Sequence, residues 1–212
     1  MSKPQVAVNW LFAARWILAN LVGTCIATLG FYITQGLMIR LGAMNHPFSI
    51  IDTVVFYAVL FTIWGIPLWL AQAYVLRNLL SQLGWWIRVS VIGAAVGWSL
   101  GVLSIYVLQG LSIFEPAIPI CGGVGGLSIG MAQTLVLPRH DRQVLWWPLA
   151  NAVGWGIGIA VSYRISLEPI RSEAVGVILI LAMGVVCGAI VGAVTALTLT
   201  HLLLRPMRTQ TA

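Results

Sequence analysis

The side chains that could do chemistry inside this otherwise apolar chain are amides and hydroxyls: Asn20, Gln72, Ser90, Gln133, Asn151 and Thr195. Asn20, Ser90 and Asn151 each follow a tryptophan (Trp16, Trp86, Trp147) by four residues. Gln72 and Gln133 precede Arg77 and Arg139 by five or six, and Thr195 precedes His201 by six. Such groups donate and accept hydrogen bonds, and their oxygens can ligate a chlorophyll-type magnesium weakly. Two roles are open to them. They can tie helices together, at about 0.6 kcal/mol per bond in a membrane interior, or they can orient a bound molecule. Their matched depth predicts a polar collar near one membrane face, which makes the six a candidate ligand-binding site.

Other chemistry is poorly supported. His46, His140 and His201 are too scattered to pair across a haem plane, and none has a second ligand at metal spacing. Cys25, Cys121 and Cys187 are single and lie within apolar stretches, which reads as three buried thiols without a zinc site or disulfide framework. No Ser-His-Asp set, phosphate loop or pair of intramembrane carboxylates is spelled, so the expectation is a protein that is not an enzyme. The acids Asp52, Glu115, Asp141, Glu168 and Glu173 all fall at the ends of apolar stretches or between them. That argues against ion-coupled transport, which needs a charge within a span.

The elements that must position the collar follow from composition. Apolar residues make up 60% of the 212 and charged residues 8%, far from the roughly 25% charged of soluble domains. This is the composition of a membrane protein. Apolar stretches run approximately over 11–39, 50–76, 86–111, 117–137, 145–163 and 174–204, and a helix needs about 20 such residues to span a bilayer core. Without barrel-type alternation each must be helical, because a backbone in lipid has to satisfy its own hydrogen bonds. The expectation is an all-α, six-pass bundle forming one domain over 1–212. The first stretch is too long for a signal-peptide core and reads as a retained helix.

Charge sets the orientation. Lys3, Arg15, Arg77, Arg88, Arg139, Arg142, Arg205 and Arg208 fall on one side of the alternating crossings, and Arg40, Arg164 and Arg171 on the other. The positive-inside rule places both termini in the cytoplasm, with the chain integral to the inner membrane. The net charge of +6 is then a matter of topology, and nucleic acid is not an expected partner.

The chain also repeats itself. "AQAYVLRNLLSQLGWW" at 71–86 returns as "AQTLVLPRHDRQVLWW" at 132–147 with seven of sixteen positions unchanged. After each WW pair come Trp86, Ser90, Gly93, Gly97 and Trp147, Asn151, Gly154, Gly158, and the first helix carries Trp16, Asn20, Gly23, Ala27. The spacing i, i+4, i+7, i+11 holds each set on one stripe of a helix. Even-numbered helices answer with Gly126, Gly130, Gln133 and Gly188, Gly192, Thr195, while the second keeps Gly65 and Gln72 but has Trp69 in place of the middle glycine. Three tandem hairpins, about 11–76, 86–137 and 146–204, are expected to close with pseudo-threefold symmetry. The GxxxG-type glycines are expected to bring helices close together. Trp16, Trp85, Trp86, Trp146 and Trp147 read as interface anchors. The deeper Trp64, Trp69, Trp98 and Trp155 could pack between hairpins or line a site for a flat apolar molecule.

The phrase G-x3-G-x2-Q, then V-L, a basic residue, a WW pair and G-x3-G, resembles a group of multi-pass membrane proteins frequent in cyanobacteria and Chloroflexota in which such hairpins recur. The resemblance runs through Gly65, Gln72, Val75, Leu76 and Arg77, and again through Gly126, Gly130, Gln133, Val136 and Leu137. Thr195 departs from it, standing where the pattern has glutamine. The motif describes a packing unit and implies no reaction. Thylakoid complexes as partners rest on this resemblance alone.

The expected function is a non-catalytic accessory or scaffold subunit packing laterally against other membrane subunits within the lipid bilayer. Chlorophyll, carotenoid, quinone or lipid are its candidate ligands. The alternative is a small pore or facilitative carrier for a neutral solute. A packed axis favours the first and a continuous polar lumen the second.

Overall fold

The computed structural model describes residues 10–42, 49–112, 116–137, 142–169 and 172–203. His46, His140, Glu115, Arg139 and Asp141 lie outside these residues, as do the side chains of Arg142 and His201. The described part is all helical: α1 (Trp10–Arg40), α2 (Ile50–Leu76), α3 (Leu83–Gly110), α4 (Ala117–Gln133), a 3-10 turn at Arg142–Leu145, α5 (Trp146–Ser166) and α6 (Glu173–Leu203). Apolar side chains occupy nearly every turn, and the breaks fall where polar residues, proline or glycine stop the run. Before α2 the break is built in detail. Ser49 Oγ accepts from the Asp52 backbone N–H at 3.1 Å, and the Asp52 carboxylate accepts from the Ser49 N–H at 3.2 Å. This capping box satisfies two donors that the first turn would otherwise leave free. Ser49→Ala is expected to lower stability by about 1 kcal/mol, read as a shift in the midpoint of a detergent-unfolding titration.

Four helices, α1, α2, α3 and α6, are long and apolar enough to cross a membrane. That is fewer than the six expected from the sequence, for identifiable reasons. Residues 134–137, expected as the end of the fourth span, form a turn, so α4 has 17 residues and a length of about 25 Å at ~1.5 Å per residue. The 21 residues of α5 include Asn151, Ser162, Arg164 and Ser166, which lower its apolar content. All six helices nevertheless keep large apolar side chains exposed, such as Leu18, Ile63, Ile92, Ile120, Val153 and Ile178. Water would penalise those surfaces at roughly 25 cal/mol per Å². Hydrocarbon would not, and the long apolar helices mark a membrane protein.

Each helix packs against its neighbours in sequence, and α6 packs against α1, so the six form a closed ring. The glycines allow the close approaches. A Cβ on Gly130 would lie 2.6 Å from the Pro148 Cα, and one on Gly93 2.8 Å from the Ala132 Cβ. Gly97 faces α4, Gly126 faces α5, Gly154 and Gly158 face α6, Gly188 and Gly192 face α1, and Gly23 faces Leu68 of α2. Gly65 differs: the space beside it is filled by the ring of Trp69 from its own helix. The substitution at the middle glycine position therefore changes what the first glycine of that pair does.

Candidate functional site

The ring has two unlike ends. At one, Trp16, Trp86 and Trp147 meet, with ring centroids 6.3, 6.0 and 6.1 Å apart in the three pairings. Phe12, Leu76, Leu80, Leu137 and Leu199 pack in the same cluster. The three indoles are essentially fully buried, so their expected role as interface anchors is corrected: an indole enclosed by two others cannot reach a headgroup. Trp85 and Trp146 are exposed instead, one residue earlier and so about 100° round the helix. Arg88 lies over the Trp85 ring at 5.5 Å, and Arg77 over the Tyr74 ring at 3.8 Å.

The polar collar adjoins this cluster. Trp147 Nε1 donates to Gln133 Oε1 at 2.9 Å, and Gln133 Nε2 donates to Ser90 Oγ at 2.8 Å. Gln72 Nε2 donates to Asn20 Oδ1 at 3.0 Å, and Trp16 Nε1 donates to Thr195 Oγ1 at 2.9 Å. Asn20, Ser90, Asn151 and Thr195 also donate to backbone carbonyls one turn earlier on their own helices. The structure brings Asn20 to Gln72 and Ser90 to Gln133, and none of the six collar residues borders the cavity at the other end of the ring. Of the two roles open to the collar, ligand binding therefore gives way to that of a tie between helices, because its polar atoms are largely spent on one another.

One seam is incomplete. Trp86 Nε1 and Gln72 Oε1 are buried without a partner, whereas the corresponding donor and acceptor on α5 and α4 are bonded. The two seams should therefore respond unequally to mutation. Gln133→Leu deletes two bonds and strands a buried indole N–H, costing about 1–3 kcal/mol. Gln72→Leu deletes one bond, leaving the Asn20 amide oxygen without its donor, but it also removes an acceptor that is already unsatisfied, so its cost is expected to be smaller. Detergent-unfolding midpoints of the two variants give the order; Gln72→Leu proving the more damaging contradicts it.

Toward the other, wide end the helices enclose a cavity of about 570 Å³ to which all six contribute. Aromatic rings make up part of its walls, beside aliphatic side chains such as Leu68, Val102, Ile129 and Ile159. Phe31 stacks on Phe61 at 4.8 Å, Phe61 on Trp98 at 4.7 Å, and Trp98 meets Trp155 edge-on at 5.6 Å. Trp64, Trp69, Trp98 and Trp155 all line it, in keeping with the second of the two roles their depth suggests. Polar groups gather nearer the helix ends: Gln35 donates to the Tyr57 hydroxyl at 3.3 Å, and Gln109, also on the lining, is exposed. The thiols of Cys121 and Cys187 border the cavity, while Cys25 sits against Gly184. Among the described residues no three His, Cys, Asp or Glu side chains are grouped to hold a metal.

The arrangement is a blind pocket, with apolar walls and a floor above the collar and the tryptophan cluster. Its volume falls within the roughly 300–1,000 Å³ typical of small-molecule sites. Sequence reasoning misses the cavity as such; its traces are the four deep tryptophans. Comparison with protein-family models, with curated proteins and with solved structures finds no match.

Proposed function

We propose that this protein is a non-catalytic integral membrane subunit holding one small apolar molecule in its axial pocket. The carrying observation is a cavity of about 570 Å³, lined by all six helices with largely apolar walls that include aromatic side chains. Left empty, such walls forfeit dispersion contacts on one side; an apolar occupant restores them. In this reading all six helices cross the membrane as three hairpins about one axis, on which Trp16, Trp86 and Trp147 are equivalent. Support comes from the closed ring and the near-equal spacing of the three indoles. The excess of Lys and Arg puts the tryptophan end and both termini on the cytoplasmic side, so the pocket faces the opposite side. The exposed apolar faces supply the surface for lipid and for lateral contact with other membrane subunits.

The pore reading is less favoured, because the tryptophan cluster and collar fill the axis where a continuous lumen would have to run. The test is native mass spectrometry of protein extracted gently from its own membrane, beside the variant Val102→Trp, which puts an indole into the cavity. The expected result is a stoichiometric added mass on the wild type and none on the variant. A wild type carrying no added mass, or an added mass that Val102→Trp leaves in place, overturns the proposal.

A further inference from the structure

The ring of helices is sealed unevenly. Gln72 bonds to Asn20 and Trp64 to Thr34 between α1 and α2, and Gln133 joins α4 to both α3 and α5. Ser162 donates to the Met183 carbonyl between α5 and α6 at 3.0 Å. Between α1 and α6, Trp16 donates to Thr195 and Thr24 to the Gly184 carbonyl. Among the described residues no hydrogen bond joins α2 to α3. No glycine of these two helices has its nearest neighbours across that seam either: the closest atoms to a Cβ on Gly93, Gly97 or Gly101 all belong to α4. The buried side-chain polar atoms without a partner, Thr62 Oγ1, Gln72 Oε1 and Trp86 Nε1, all sit on α2 or α3. Gln72 precedes Trp86 by the same 14 residues that separate the bonded Gln133 and Trp147, yet the equivalent bond is not made.

What closes this seam is apolar. Ala58, Leu68 and Trp69 of α2 share a cluster with Ala94, Trp98 and Val102 of α3, and Phe61 stacks on Trp98. Opening any other seam in hydrocarbon would strand hydrogen-bonding groups. Opening this one strands none, and acyl chains as apolar as leucine replace the contacts that are lost. The seam also borders the pocket from both sides, through Phe61 and Trp69 on α2 and Trp98 and Val102 on α3. The two helices are joined over 77–82 at the tryptophan end, where Leu76 and Trp86 are packed in the cluster, so it is their wide ends that are free to part. We infer that the α2–α3 seam is a lateral portal, through which the occupant of the pocket exchanges with the hydrocarbon of the bilayer. This rests on the proposal of an occupied axial pocket and names the source of its ligand. That ligand is a neutral, membrane-dissolved molecule: no Asp, Glu, Lys or Arg borders the cavity among the described residues, so a charged one would lose its hydration without compensation.

Exchange of a membrane-dissolved probe tests the portal. Protein stripped of bound material is placed in lipid nanodiscs, loaded with pyrene and chased with perdeuterated pyrene carried in vesicles, and native mass spectrometry follows the change in bound mass. In a background with Cys25, Cys121 and Cys187 replaced by alanine, Phe61→Cys and Trp98→Cys are linked across the seam by a short bis-methanethiosulfonate reagent, which dithiothreitol reverses. Linking is expected to slow exchange by about tenfold relative to the same protein after reduction. Exchange equally fast in the two forms overturns the portal and leaves the pocket standing. Failure of wild type to bind pyrene overturns both. A second measurement leaves the pocket untouched and decides even where the linked variant does not fold. Spin labels at the exposed Val59 of α2 and Leu103 of α3 are expected to give a distance distribution with a longer, open component. A pair at the exposed Ile157 of α5 and Val185 of α6 is expected to lack it. Equally narrow distributions for the two pairs overturn the portal.

Discussion

Trp147→Ala is expected to destabilise the protein by about 3–5 kcal/mol, the usual cost of truncating a buried large aromatic side chain. Trp147 is 1% exposed, touches both Trp16 and Trp86 and donates to Gln133 Oε1 at 2.9 Å. Its removal opens a hole between the two remaining indoles and strands the amide oxygen of the buried Gln133. The adjacent Trp146 is 64% exposed, and Trp146→Ala is expected to change the unfolding free energy in detergent by no more than about 0.5 kcal/mol. Equilibrium unfolding followed by circular dichroism reads both. Equal effects from the two neighbours would mean that the tryptophan cluster does not hold the ring together.

The second large effect belongs to the closure of the ring. A Cβ on Gly188 would lie 2.6 Å from the Leu21 Cα and 2.7 Å from the Asn20 carbonyl oxygen, so nothing larger than hydrogen fits unless α6 withdraws from α1. Gly188→Leu is expected to exceed the ordinary overpacking cost of about 1–3 kcal/mol, because backbone cannot rotate aside as a side chain can. Withdrawal would also part Trp16 from Thr195. Gly36 lies on α1 with nothing near its missing Cβ, so Gly36→Leu is expected to be neutral or slightly stabilising, by up to about 1 kcal/mol, from helix propensity. Thermal unfolding of the two variants, monitored by size-exclusion chromatography, gives the comparison. A Gly188→Leu protein that stays monodisperse and melts with wild type contradicts the closed ring.

Much of this architecture is legible in the sequence, and the misreadings have physical causes. Helical spacing puts Trp86, Ser90, Gly93 and Gly97 on one face, and all four are buried on that face. The same spacing carries enough information to turn Trp86 inward, since a tryptophan sharing a stripe with buried serine and glycine cannot also face lipid. The general preference of tryptophan for the interface points the other way, and at Trp86 the stripe wins. Ser90 and Gln133 fall at one depth by residue spacing, but depth alone does not say whether two polar groups bond to each other or to a ligand; the 2.8 Å between them does. The cavity is hardest to read because it is a property of six helices together. Each of Phe61, Trp69, Trp98 and Trp155 looks like a packing residue on its own helix, and only the ring shows that they face one shared space.

An occupied axial pocket is tested most directly by a high-resolution cryo-electron-microscopy map of the protein taken from its own membrane into lipid nanodiscs. Compact non-protein density is expected, flat enough to lie beside Phe61 and Trp98, in a cavity closed below by the three touching indoles of Trp16, Trp86 and Trp147. A chain of water running the length of the axis through the tryptophan cluster would contradict it, as would a pocket collapsed by its own side chains with no room for an occupant.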